Sequence, residues 1–360
     1  MIESRLQALR QLLAQQKLDA VVVTKEVNLY YFSGFRGDDT TLVITADKAL
    51  LVTDNRYTEQ AGLQAPLFEL VEQKEGLLKV TADVIKKLGC KRVGFEGNAM
   101  TFDTYHTLQQ ALPEVDFTTS LNLDLQRTIK DEQEISYIRE ACRIADAAFE
   151  DIVKYMHAGM TELEVAARLE QVMRREGSEK PSFDTIVASG LRGSLPHGTA
   201  TDKKLEPGDF VTMDYGAKYK GYCSDTTRTV VIGQPSDRQR EVYAAVLDTQ
   251  EKVLTAIRPG KSGREIDALS RENLHHYDLD QYFGHGLGHS LGLEIHEAVP
   301  RFGKMGHNAD ELLQPNMLVT DEPGVYLPGW GGLRIEDTVL VTADGCERLT
   351  KSSKKLVEIQ

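Results

Sequence analysis

Two segments of this chain repeat one frame, and each ends in a carboxylate. Leu205-Glu-Pro-Gly-Asp-Phe-Val-Thr-Met-Asp214 and Leu313-Gln-Pro-Asn-Met-Leu-Val-Thr-Asp-Glu322 share Leu-x-Pro-x-x-x-Val-Thr-x-acid at an offset of 108 residues. Each continues into a turn and a returning strand pattern with a second acid, Asp225 in the first copy and Glu336 in the second. In the first copy, a turn centred between Tyr219 and Lys220 sets Asp214 opposite Asp225, because paired residue numbers then sum to 439. In the second, Pro328-Gly-Trp-Gly-Gly332 is strong turn chemistry, and a turn on Gly329 pairs Glu322 with Glu336 at a sum of 658. Opposed side chains stand about 4.5–5.5 Å apart at Cβ. Four carboxylates gathered in one cavity cannot all stay ionised unless cations lie between them. One acid pair at strand ends would be unremarkable on a protein surface. Two pairs in a duplicated frame predict a two-metal hydrolase.

The duplication extends upstream of the hairpins. His157-Ala-Gly-Met-Thr161 and Arg258-Pro-Gly-Lys-Ser262 align at an offset of 101. Thr161-Glu-Leu-Glu164 and Ser262-Gly-Arg-Glu265 both read as helix capping boxes. Each copy is expected to run helix (Asp131–His157 or Glu241–Ile257), turn, helix, then carboxylate hairpin. A repeat of about a hundred residues implies two related halves about a pseudo-twofold axis, with the metal site at their junction. Residues 131–360 form this α+β unit. Residues 1–122 alternate helix and strand patterns and read as a separate α/β domain with a mixed sheet. Strands are expected at Asp19–Thr24, Thr41–Thr45, Ala49–Thr53 and Arg92–Phe95, and helices at Leu77–Leu88 and Thr101–Leu112. Residues 123–130 serve as a connector.

At 360 residues the chain is long enough for two cores. Its net charge of −13 argues against nucleic acid or an anionic membrane surface as partner, and bound cations would offset part of it. Four widely spaced cysteines with no CxxC pair are expected as reduced thiols in a cytoplasmic protein. The Met1–Lys17 pattern is an amphipathic helix, with neither a signal peptide nor a membrane span expected.

Nine histidines are present. His285, His289 and His296 fall in the glycine-threaded stretch Phe283-Gly-His-Gly-Leu-Gly-His-Ser-Leu-Gly-Leu-Glu-Ile-His-Glu297, and His197 follows the loop Ser189–Pro196. A structural role is expected for His106, His157, His275, His276 and His307. Four carboxylates with one or two imidazoles make a hard, oxygen-rich site. That chemistry suits Mn²⁺ first, with Co²⁺, Zn²⁺ or Fe²⁺ possible. Two divalent ions balance four carboxylates, and such ions lower the pKa of a coordinated water to about 7.

The set Asp214, Asp225, His289, Glu322 and Glu336 resembles the five-ligand signature of the pita-bread metallopeptidases, the methionine aminopeptidase and prolidase superfamily. Tyr31-Phe-Ser-Gly-Phe35 and Thr53-Asp-Asn-Arg-Tyr57 resemble a creatinase-type amino-terminal domain. Phe183-Asp-Thr-Ile-Val-Ala-Ser-Gly190, Tyr222-Cys-Ser-Asp-Thr-Thr-Arg-Thr229 and Glu322-Pro-Gly-Val-Tyr326 are close to the Xaa-Pro aminopeptidase and Xaa-Pro dipeptidase branch. The resemblance implies a creatinase-like domain followed by a duplicated pita-bread domain. It implies that Asp214 chelates one metal, that Asp225 and Glu336 bridge two, and that His289 and Glu322 hold the second. His197, His285 and His296 would meet the peptide, Arg334 would support the ligands, and Glu322 or Glu336 would shuttle a proton. The expected activity is removal of the residue before proline from peptides, by a homodimer acting on small proline-containing peptides. A dipeptidase restricted to Xaa-Pro dipeptides is the alternative. A metal-free creatinase and a non-catalytic pita-bread binding protein are disfavoured by the intact ligand set.

Overall fold

The computed structural model describes residues 1–305 and 307–360, and of His307 the backbone only. It separates into two compact units, Met1–Arg127 and Thr128–Gln360.

The first unit is built on a six-stranded mixed sheet. Its spatial order is Glu69–Glu72, Ala49–Thr53, Thr41–Thr45, Ala20–Val23, Arg92–Glu96, Asp116–Leu121. The central strand Ala20–Val23 is buried at every position, as a β-branched run flanked on both sides must be. The expected strands and helices of this unit are all present, with ends shifted by at most two residues. The helix Ile2–Gln16 buries Leu6, Leu9 and Leu13 and stops at Lys17, which adopts a left-handed cap.

The second unit repeats itself. Helices Glu132–Tyr155 and Glu162–Arg175 precede the strands Phe210–Tyr215 and Thr226–Ile232. Helices Asp237–Ala256 and Gly263–His275 precede the strands Leu318–Asp321 and Asp337–Val341. Both capping boxes close as expected, at Thr161/Glu164 and at Ser262/Glu265. The turns before them are tied identically. Gly159 N–H donates to the Leu205 carbonyl and Gly260 N–H to that of Leu313, while isolated bridges join Thr161 to Lys204 and Ser262 to Leu312. Each half has its own apolar core. One is centred on Ile144, Leu169, Met213 and Val230, and the other on Val246, Ile266, Val319 and Val339. The helix expected from Glu241 begins at Asp237, because Ser236 and Gln239 form a capping box of their own.

The register of the first hairpin corrects the expectation. Its turn is Lys220-Gly221, both at positive φ, and it pairs Tyr219 with Tyr222. Strand pairs therefore sum to 441, and Asp214 lies opposite Thr227, not Asp225. The shift of two preserves parity, so Asp225 stays on the face of Asp214 one step along. The second hairpin holds a sum of 658 throughout, from Leu318–Leu340 to Leu327–Gly331. The hairpins meet where Glu336 N–H donates to the Thr227 carbonyl and Asp225 N–H to Thr338 Oγ1.

Gly216, at the bend of the first hairpin, shows how tightly Asp225 is seated. A Cβ there would stand 1.9 Å from the Ser224 carbonyl oxygen. Gly216→Ala is expected to destabilise the chain by about 1–3 kcal/mol in denaturant unfolding. An unchanged unfolding midpoint would show that this bend relaxes freely.

Candidate metal centre

Asp225, His289 and Glu336 come together from three segments. Each offers a ligand atom within 4.8 Å of the others. His289 ends the short strand Gly288–His289, and a Cβ on Gly288 would stand 2.2 Å from the Thr320 carbonyl, so only glycine permits that approach. His289 Nε2 lies 3.4 Å from Asp225 Oδ2 and 3.6 Å from Glu322 Oε1. Thr320 Oγ1 ties the two together: it accepts from His289 N–H at 3.0 Å and donates to Glu322 Oε1 at 3.1 Å. Asp214 lines the same cavity, with Oδ2 held at 2.5 Å by Arg334 Nη2. All five residues of the expected ligand set therefore share one cavity of about 890 Å³.

Arg334 organises one flank. It donates to Asp214, to Tyr326 Oη at 2.6 Å and to Thr227 Oγ1 at 3.0 Å. Thr227 Oγ1 in turn donates to Glu336 Oε2 at 2.6 Å, and Tyr326 Oη meets His285 Nε2 at 2.8 Å. The sequence patterns do not single out Thr227 or Tyr326, although both leave a signal there. Thr227 is the true cross-strand partner of Asp214, and Tyr326 closes the Glu322-Pro-Gly-Val-Tyr326 motif. His197, His285 and His296 also line the cavity, and His296 packs edge-on to His289 with ring centroids 4.3 Å apart. His106, His157, His275 and His276 are exposed, and the side chain of His307 lies outside the described residues.

Burial dominates the electrostatics. It pushes Asp225 up to about 6 against the hydrogen bond from His289, and Glu322 up to about 7 against the charges of His289 and Arg334. Glu336 lies well above the ordinary range, through burial and then the charges of Asp225 and Glu322. Burial opposes the charged form of His289, but the Asp225 hydrogen bond and the Glu322 charge prevail and raise it to about 9. His285 falls to about 4 through burial and the nearby Arg334. His296, open to the cavity on one side, also falls to about 4 through desolvation of the rest and the charge of His289. One oxygen each of Asp214 and Asp225 is buried without a hydrogen-bond partner. Acids that resist ionisation together, with oxygens left over, fit divalent cations.

Residues 136–343 match the family described as metallopeptidase family M24, and residues 5–129 match the creatinase/prolidase N-terminal domain. The chain belongs to metallopeptidase family M24. It carries that family's pita-bread catalytic domain behind a creatinase-type domain. It is 38% identical to an Xaa-Pro dipeptidase of Pyrococcus furiosus, over 99% of this chain and 100% of that one. Among solved structures it resembles an Xaa-Pro dipeptidase from Bacillus anthracis at 42% identity and a TM-score of 0.95, covering 99% of each chain. It also resembles an X-Pro aminopeptidase from Thermotoga maritima at 38% identity and 0.90, covering 95% of this chain and 98% of that one. No described helix is long and apolar enough to cross a membrane.

Asp225→Asn removes one charge from the tightest group of candidate ligands. It is expected to abolish peptidase activity and lower bound metal while leaving circular dichroism unchanged. Normal turnover at full metal content would refute the assignment.

A pH dependence follows for the metal-free protein. Asp225, Glu322 and His289 all have folded values above their unfolded ones, so the native state holds more protons and loses stability as pH rises towards those values. The lowered His285 and His296 act oppositely, but only below about 6.5. Between about pH 6.5 and 9, the melting temperature of chelator-treated protein should fall, and the increase on adding Mn²⁺ should grow, since metal displaces protons. An increment independent of pH across this range would contradict the charge argument.

Proposed function

We propose that this chain is an Xaa-Pro dipeptidase that uses two divalent ions held between the duplicated hairpins. The sequence alone favours an aminopeptidase acting on longer peptides. The full-length relatives named as dipeptidases support the other reading. Asp214 would hold one ion, Asp225 and Glu336 would lie between the two, and His289 and Glu322 would hold the other. When bound, the ions supply an ionised water at neutral pH and polarise the scissile carbonyl. His197 and His296 orient the peptide and offer hydrogen bonds to its carbonyl oxygen, while His285, whose Nδ1–H goes to the Gly286 carbonyl and whose Nε2 accepts from Tyr326 Oη, shapes the wall beside them. A carboxylate, Glu322 or Glu336, carries the proton to the proline nitrogen as it leaves. That nitrogen bears no N–H, so recognition falls on shape, and Phe183, Ile186 and Phe302 supply an apolar wall for the ring.

The structural observation that supports a dipeptide is the place of Arg301. It is the cross-strand partner of His289 and lines the cavity. Opposed side chains share a face, and the Arg301 charge acts on His296; we assign this guanidinium to the carboxylate of a terminal proline. In a longer peptide that carboxylate is an amide. Manganese, as the metal, fits the hard donor set.

Metal-loaded enzyme should hydrolyse Ala-Pro and Met-Pro and cut Ala-Pro-Gly far more slowly. Arg301→Met should lower kcat/KM for dipeptides by about 10- to 100-fold, since a hydrogen bond to a charged group is worth about 1.5–3 kcal/mol, and should barely change Ala-Pro-amide. Faster cleavage of the tripeptide by wild type would return the assignment to the aminopeptidase reading, as in the Thermotoga maritima neighbour. Failure to cut any of these peptides would remove the Xaa-Pro assignment.

A further inference from the structure

The loop that carries His197 is fastened to one buried carboxylate. Glu162, first residue of the helix Glu162–Arg175, is fully buried. Its Oε1 accepts from Ser189 N–H and Ser189 Oγ, both at 2.8 Å. Its Oε2 accepts from Thr201 N–H at 3.1 Å, from Thr201 Oγ1 at 2.8 Å and from Arg192 Nη1. Ser189 and Thr201 flank His197 on either side, so one carboxylate closes the base of the loop and its arginine reaches into it. Arg192 continues to the Thr199 carbonyl at 2.7 Å. The far side of the loop presses backbone against backbone on the strand that bears Arg334. A Cβ on Gly332 would stand 2.4 Å from the Gly193 carbonyl, and Arg334 Nη1 donates to the Pro196 carbonyl at 3.3 Å.

Helix capping does not account for Glu162. Thr161 and Glu164 already satisfy that helix start. Nor is it inherited from the duplication. The matching position in the second half is Gly263, where a Cβ would meet the Arg301 carbonyl at 1.9 Å. The second half clamps its histidine loop differently. Asp267 accepts from Leu287 N–H at 3.0 Å and from Arg271, which bonds the carbonyls of Phe283 and His285.

We propose that Glu162 is a positioning residue for the peptidase site: with Arg192 it holds the loop 189–201 so that His197 faces the substrate. This rests on the reading of His197 as a group that meets the peptide. A glutamine at 162 is nearly isosteric, but its amide would present a donor to donors, and loss of one partner leaves the rest of a buried network unsatisfied.

The test is Glu162→Gln in the metal-loaded enzyme, alone and combined with His197→Ala. Hydrogen exchange of the 189–201 segment and metal per chain are measured beside kcat/KM. Glu162→Gln should cost about 10-fold or more in kcat/KM, comparable to weakening one oriented hydrogen-bond donor. Exchange at Ser189 and Thr201 should quicken, metal content should hold, and the double variant should be no worse than His197→Ala. An equal loss in the His197→Ala background, or unchanged exchange, overturns the proposal. If Glu162→Gln does not accumulate as folded protein, Arg192→Met, at a partly exposed residue, runs the same cycle, and the same outcomes support or overturn the proposal. Full activity of His197→Ala would also overturn the positioning role. A wild type inactive on every Xaa-Pro peptide would instead remove the proposed function, while the exchange result would still decide whether Glu162 holds the loop.

Discussion

The catalytic unit is organised around the cost of confining like charges. Asp225, Glu322 and Glu336 are drawn into one pocket by strands that are themselves buried, and Asp214 faces them. Arg334 and His289 offset part of that repulsion, and protons cover the remainder when no cation does. Neighbouring hydrogen bonds hold these groups in place despite the repulsion: Thr227 on Glu336, Thr320 on Glu322 and His289, Arg334 on Asp214. A pocket that is unfavourable when filled with negative charge alone becomes favourable when divalent ions enter it. Affinity for cations is thus stored in the fold as repulsion.

Much of this is legible in the sequence because it depends on local pattern. The repeated frame, the capping boxes and the glycine-rich turn at 328–332 each announce a backbone conformation, and the second hairpin adopts the register its turn requires. The first hairpin slips by two because its turn residues are Lys220 and Gly221. A lysine at positive φ carries no signal of its own, and only Gly221 hints at where the chain reverses. The slip leaves the face of Asp225 unchanged because strand parity survives a shift of two. The early start of the helix at Asp237 is written in Ser236 and Gln239, a capping box that the apolar pattern beginning near Glu241 obscures. Glu162 is not legible at all. An acid in the first turn of a helix looks like a response to the helix dipole, and nothing local reveals that its oxygens serve residues 27 and 39 positions onward.

A division of labour follows from which elements carry which residues. Asp214 lies in a strand, Asp225, Glu322 and Glu336 at strand ends, and His289 in a two-residue strand pinned by Gly288. Ladders hold Asp214 and His289, and bonds just beyond the strand ends hold the others: Asp225 N–H to Thr338 Oγ1, Glu322 N–H to the Leu287 carbonyl and Glu336 N–H to the Thr227 carbonyl. The residues expected to meet peptide, His197, His285 and His296, lie in loops. Loops have no ladder, so they need individual fastenings: Glu162 for one, Asp267 with Arg271 for another. Substrate preference on this scaffold can therefore change through loop residues and their fastenings without disturbing the candidate metal set. The same division explains why that set is readable from a repeated strand frame while the choice between dipeptide and longer peptide is not. In the proposed function that choice rests on Arg301, which reaches the site through its pairing with His289 on a two-residue ladder and not through a repeated frame.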